Sequence, residues 1–317
     1  MTSRTQILNQ PLAIRNLLKT IEPAKITEIA LEILRAQQLV LVGGGNSRHS
    51  AIIGRYILSR ISGKLSEVIM SSEFHHFADS VDRKTLVIAV SSQGIEIGDT
   101  ITGVRKAREC GATIFSITDN ITSPLANISS QVIPCGTPPI NKLIIFYLLA
   151  FATLNRLSET IDQIKRISFL IQRNIQHIEP CIKDVAKKLQ NKSSIYYLGR
   201  GINFAIAGES ALKMKQIAHI HAEGMPAGEL KHGTLAVIEK GTPVIGICPN
   251  DYTYNEMLNN LSEVKARKGY VIGISDKNND IFDDFIPIPI VDQIFYPLVS
   301  VIQPQLLAYY ISRGENE

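Results

Sequence analysis

Residues 195–234 read IYYLGRGINFAIAGESALKMKQIAHIHAEGMPAGELKHGT. An apolar run reaches a glycine turn at Gly199 and Gly201, the turn opens a helix, and a charged loop follows. A buried strand feeding a helix through a glycine turn is the unit of an α/β sheet. The same order occurs upstream, where QLVLVGGGNSRHS at residues 38–50 gives strand, glycine turn and helix start.

The likeness extends along both halves. TLVIAVSSQG pairs with TPVIGICPND, TGVRKARECGATIFSITDN with SEVKARKGYVIGISDKN, and SQVIPCG with DDFIPIPIV, at a nearly constant offset. Each half closes on an apolar helix, beginning near Lys142 in the first and near Gln293 in the second. This predicts a tandem duplication, with halves at 1–165 (helical leader included) and 166–317. Each half is expected to be a doubly wound, flavodoxin-like α/β domain with a parallel sheet covered on both faces.

Composition narrows the function. The 317 residues include 33 basic and 29 acidic side chains, a net charge of +4 spread without a basic arm or stripe, so no nucleic-acid partner is expected. The N-terminus lacks an apolar signal region, and the run at 143–154 is too short to span a bilayer. Cys110, Cys135, Cys181 and Cys248 are dispersed with no C-x-x-C pair, which argues against zinc and disulfides. A cytoplasmic protein without membrane association, metal or cofactor is the expectation.

Ligands of doubly wound sheets bind beyond the carboxyl ends of the strands. Three loops of the first half meet there. The first is Gly43-Gly44-Gly45-Asn46-Ser47, where glycines and a helix N-terminus suit an anion. It is neither a Walker loop nor a dinucleotide fingerprint. The second is Ser91-Ser92-Gln93-Gly94, whose hydroxyls and amides can ring a phosphate without Lys or Arg, although Ser and Gly are ordinary in such turns. The third, Gly136-Thr137-Pro138-Pro139, is short and rigid.

In the second half, Glu209, Lys213 and Gln216 fall at i, i+4 and i+7 on one helical face, in the first turns after a glycine loop. A surface ion pair is the ordinary reading of the first two. His219 and His221 lie on a helix or its end and lack ligand partners at metal spacing. His232 stands alone in the polar loop GELKHGT, where a structural imidazole is commoner than a catalytic one.

These residues carry a resemblance. LGRGINFAIAGESALKMKQIAHIHAEGMPAGELKHGTLAVI at 198–238 is similar to the isomerase half of the glucosamine-6-phosphate synthase (glutamine–fructose-6-phosphate aminotransferase) family, built from two sugar-isomerase (SIS) domains. GGGNS, SSEF, SSQG and the C-terminal QLLAYYI lie in the family's order. The resemblance implies a homodimer with sites at the subunit interface that bind a hexose 6-phosphate and interconvert ketose and aldose forms. It places Asn46 and Ser47 at substrate and phosphate, and Ser91, Ser92 and Gln93 in the phosphate-cradling loop. Glu209 and Lys213 become the charged residues of the active helix, and His232 the ring-opening histidine supplied by the neighbouring subunit.

The departures from the family are specific. Its proton-transferring glutamate falls on Gln216, and an amide is no general base. Ile95 and Glu96 replace an acid-threonine pair, and Ile140 replaces a substrate-binding serine. The glutaminase domain and the C-terminal lysine tail are expected to be absent, so a separate glutaminase chain is the implied ammonia source. Two functions remain open: a sugar-phosphate isomerase or amino-sugar-phosphate aminotransferase/deaminase acting on fructose 6-phosphate or glucosamine 6-phosphate, and a non-catalytic phosphosugar-binding regulator.

Overall fold

A computed structural model describes residues 4–92 and 98–314. The chain divides into two compact units, Leu12–Arg166 on one side and Ile167–Glu317 with Met1–Pro11 on the other. The division falls inside one long helix, Leu157–Leu189.

The first unit holds a parallel sheet of β1 (Gln38–Gly43), β2 (Glu67–Met70), β3 (Thr85–Ser91), β4 (Thr113–Thr118) and β5 (Gln131–Pro134), in the order β2-β1-β3-β4-β5. The central strands β1 and β3 are almost continuously apolar and buried, as strands covered on both faces must be. Val40, Val42, Val87, Ala89 and Ile114 form a core with Phe74, Val104 and Leu125 on one face. The helices Gly45–Ser62 and Ile140–Ala152 pack against each other, and every residue of the second is buried.

The second unit repeats the plan with β6 (Ser194–Gly199), β7 (His221–Pro226), β8 (Pro243–Ile247), β9 (Tyr270–Ser275) and β10 (Asp284–Pro287), ordered β10-β9-β8-β6-β7 and parallel throughout. In both sheets the chain reverses direction between the first and third strands of its unit, so the glycine turn after β1 or β6 opens at the switch point. The expected charged loop after residue 218 is in part the edge strand β7, followed by a 3-10 turn, Ala227–His232. His221 therefore opens a strand, while His219 ends the preceding helical turn in the left-handed region at φ 57°.

One backbone contact recurs. A Cβ on Gly43 would lie 2.8 Å from the Ser47 carbonyl, and one on Gly199 would strike the Asn203 carbonyl. Only glycine lets each helix begin this close to the strand that feeds it. Residues Gln293–Arg313 are long and apolar enough to cross a membrane by length and composition, but 94% of that window is buried inside the structure.

Gly199→Ala is expected to destabilise the second unit by about 3 kcal/mol or more, because the obstacle is backbone that cannot rotate away. Urea unfolding checks this, with Gly228→Ala, where the new Cβ meets only the movable end of the Arg200 side chain, as the comparison.

Candidate functional site

In the first unit, the ends of β1 and β3 and the start of the helix Gly45–Ser62 converge on Lys142, the third residue of the apolar helix Ile140–Ala152. Its side chain is buried, at 1% exposure. The ammonium donates to Ser47 Oγ at 3.0 Å and to Ser92 Oγ at 2.5 Å. Ser47 and Ser91 are buried, and Ser92 is half-buried. A buried cation on a neighbouring helix thus reaches the serine loop, in addition to the hydroxyls and amides read from the sequence. The signal was available: Lys142 is the one charged residue in INKLIIFYLLAFA.

The third loop is tied to the same cluster. Asn141 Nδ2 donates to the Cys135 carbonyl at 2.9 Å, and Cys135 Sγ donates to Asp119 Oδ1 at 2.7 Å. Asp119 N donates to the Ser92 carbonyl at 3.0 Å. Burial, and then the hydrogen bond to Asp119, push the Cys135 thiol far above its ordinary range, against the opposing pull of Lys142. This thiol is a permanent donor, not a nucleophile.

In the second unit, Glu209 and Lys213 lie buried at 5% and 4% exposure, with Nζ and Oε1 3.5 Å apart. They occupy the later turns of the helix Asn203–Lys213, not its first turns as the spacing suggested. The helix then widens into a π-turn, Met214–Ala218, which carries Gln216 off strict α spacing. Lys213 Nζ still donates to Gln216 Oε1 at 3.3 Å, so the three residues do form one cluster. This helix packs closely on β7, where Gly224 meets the backbone of Ala207 and Gly208.

At the corresponding strand ends of the second unit the buried charged side chain is a carboxylate, Asp251. Asn203 Nδ2 donates to Asp251 Oδ2 at 2.8 Å, and Thr253 donates to Asp251 Oδ1 through N at 2.8 Å and Oγ1 at 2.7 Å. Arg200, in the glycine turn, pairs with Glu256 at 2.7 Å and Asn260 at 3.1 Å. No group of three or more metal-ligating side chains occurs among the described residues.

The SIS domain pattern matches twice, over residues 32–154 and 188–312. The chain belongs to the SIS-domain family. Similar curated proteins include glutamine–fructose-6-phosphate aminotransferase (isomerizing) of Pyrococcus horikoshii, 32% identical over 98% of this chain and 55% of that protein. The Pyrobaculum aerophilum protein of the same name is 33% identical over 98% and 54%. The chain spans about half the length of the curated relatives it matches. Among solved structures, the C-terminal domain of glucosamine-fructose-6-phosphate aminotransferase from Francisella tularensis has a TM-score of 0.86 at 25% identity, covering 97% of this chain and 94% of that one. Tagatose-6-phosphate ketose/aldose isomerase from Escherichia coli has a TM-score of 0.82 at 18% identity, over 97% and 92%, a likeness of fold alone.

Within this SIS chain, the structure brings Ser47 and Ser92 together through Lys142, with Asn46 adjacent and its Oδ1 buried without a hydrogen-bond partner among the described residues. Gln93, Ile95 and Glu96 lie outside the described residues. His232 ends its 3-10 turn exposed, with no hydrogen bond or ion pair to Glu209, Lys213 or Gln216 among the described residues.

Thiol chemistry checks the cluster. Cys110 is exposed, whereas Cys135 and Cys248 are buried, and burial pushes both buried thiols up from an ordinary 9.0. At pH 8 a thiol reagent is expected to label native protein at Cys110 and to reach Cys135 and Cys248 only on unfolding. A raised thiol pKa holds its proton in the folded state. Stability from these groups is therefore intact below about pH 9 and lost above it, by at most about 1.4 kcal/mol per group per pH unit. Urea midpoints across pH 7–10.5 test the sign.

Proposed function

We propose that this SIS protein binds a hexose 6-phosphate and catalyses aldose–ketose isomerisation of the fructose 6-phosphate/glucosamine 6-phosphate type, with amination or deamination at the same carbon as the aminotransferase variant. The carrying observation is the buried Glu209–Lys213 pair, 3.5 Å apart, at the end of the helix that follows the second glycine turn. Isomerisation removes a proton from C2 of the aldose and returns it to C1. It needs a carboxylate to carry the proton and a cation to steady the enediolate oxygen. Glu209 takes the first role and Lys213 the second. The names of the similar proteins, which act on fructose 6-phosphate, support the substrate class.

Ring opening would fall to His232. Its exposure on its own chain suits the reading that it serves a neighbouring copy in a homodimer. A cytoplasmic setting suits this reading.

Gln216 supports a second reading, a phosphosugar-binding protein without turnover, because the amide accepting from Lys213 stands where the family has its base. Coupled assays of fructose 6-phosphate isomerisation, and of ammonia release from glucosamine 6-phosphate, separate the two. Under the first reading, Glu209→Gln lowers turnover by about 10²–10⁴-fold. Under the second, the wild type binds hexose phosphate without turning it over, and Gln216→Glu gains isomerase activity. A chain that neither binds nor converts any hexose phosphate contradicts both.

A further inference from the structure

Lys142 is an expensive residue to keep where it is. An ammonium at 1% exposure forfeits its hydration, and a buried charge is normally offset by an opposite one. Its two acceptors are the neutral hydroxyls of Ser47 and Ser92. No ion pair to it is present among the described residues. The carboxylate facing this cluster from the end of β4, Asp119, takes its hydrogen bond from Cys135. The ammonium has three protons and, among the described residues, two acceptors, so one donor is left over there.

The hydroxyls are set by the same contacts. A serine that accepts a hydrogen bond from Lys142 keeps its own proton to give elsewhere. Ser47 lies in the first turn of the helix Gly45–Ser62, where the amides of Ser47 and Arg48 donate to the Gly44 carbonyl, those of Gly45 and Asn46 precede any intrahelical acceptor, and the N-cap Gly44 adds no side-chain acceptor. One ammonium proton, two hydroxyl protons and a helix N-terminus therefore collect at one strand end. This is the complement of a tetrahedral oxyanion carrying two negative charges.

We infer that Lys142 is the residue that receives the ligand's phosphoryl group, and that it sets the preference for phosphorylated over unphosphorylated sugars. The assignment rests on the phosphosugar reading above and adds a cation where hydroxyls and amides alone were expected. The anion supplies a counter-charge that no described residue gives Lys142. Lys142 is accordingly a burden on the empty protein and an asset to the loaded one.

That opposition gives a test which a merely structural lysine would fail. Thermal unfolding and calorimetry are run on the full chain with inorganic phosphate, fructose 6-phosphate and fructose. Wild type is expected to be stabilised by phosphate and fructose 6-phosphate and indifferent to fructose. Lys142→Met is expected to melt at or above wild type in phosphate-free buffer, yet to bind either phosphate compound at least 30-fold more weakly. Undiminished phosphate binding by Lys142→Met overturns the inference, and so does a wild type that binds no phosphate. A Lys142→Met protein that folds but melts well below wild type assigns the lysine a structural role and likewise overturns it. Should that variant not fold, the Lys142 ¹⁵Nζ resonance of wild type is followed during phosphate titration, and a signal that stays put is the contrary result. Phosphate binding through Lys142 with no sugar turnover would defeat the isomerase reading alone. Turnover with Lys142-independent phosphate binding would defeat this inference alone.

Discussion

The architecture depends on how closely a helix can start from the strand that precedes it. At Gly43 and at Gly199 the following turn lies so near that a methyl group has no room. This contact sets the helix N-terminus at the carboxyl edge of the sheet, between the strands where the connections reverse direction. Ser47 and Asn203 occupy the same place four residues on, which is why each contributes to a polar cluster there. The backbone makes the crevice, and the side chains decide what it is for.

The units handle buried charge in different ways. The Asp251 carboxylate is satisfied internally by three hydrogen bonds from Asn203 and Thr253, and Glu209 and Lys213 offset each other. Among the described residues Lys142 bonds only hydroxyls. Internal satisfaction favours a fixed structure, whereas an incompletely satisfied ion favours a ligand, since desolvation has already been met before the ligand arrives.

Much of this was legible in the sequence. The duplicated strand-glycine-helix order fixed both sheets, because fully buried parallel strands must read as apolar runs such as LVLV and TLVIAV. β7 was not legible: HAEGMP is an edge strand paired on one side, with His221, Glu223 and Gly224 in it, so no apolar pattern marks it. The place of Gln216 depends on a π-turn, which leaves no signature in spacing. The strand-end positions of Ser47, Ser91 and Ser92 were legible from glycine-turn chemistry. Lys142 was overlooked because a single lysine near the start of an apolar run reads as a helix end reaching for water, when the helix is in fact buried from its first turn.

The duplicated crevices differ in sign, and this has a kinetic side. A dianion diffusing near the chain meets a fixed cation at the strand ends of the first sheet and a fixed carboxylate at the equivalent edge of the second. Charge fixed at a strand end acts on ions further than the hydrogen bonds that hold it. The duplication therefore does not offer two equal crevices; divergence of a few polar side chains has left a buried ammonium in one and a buried carboxylate, near the Arg200–Glu256 pair, in the other, so an approaching anion meets a different field at each.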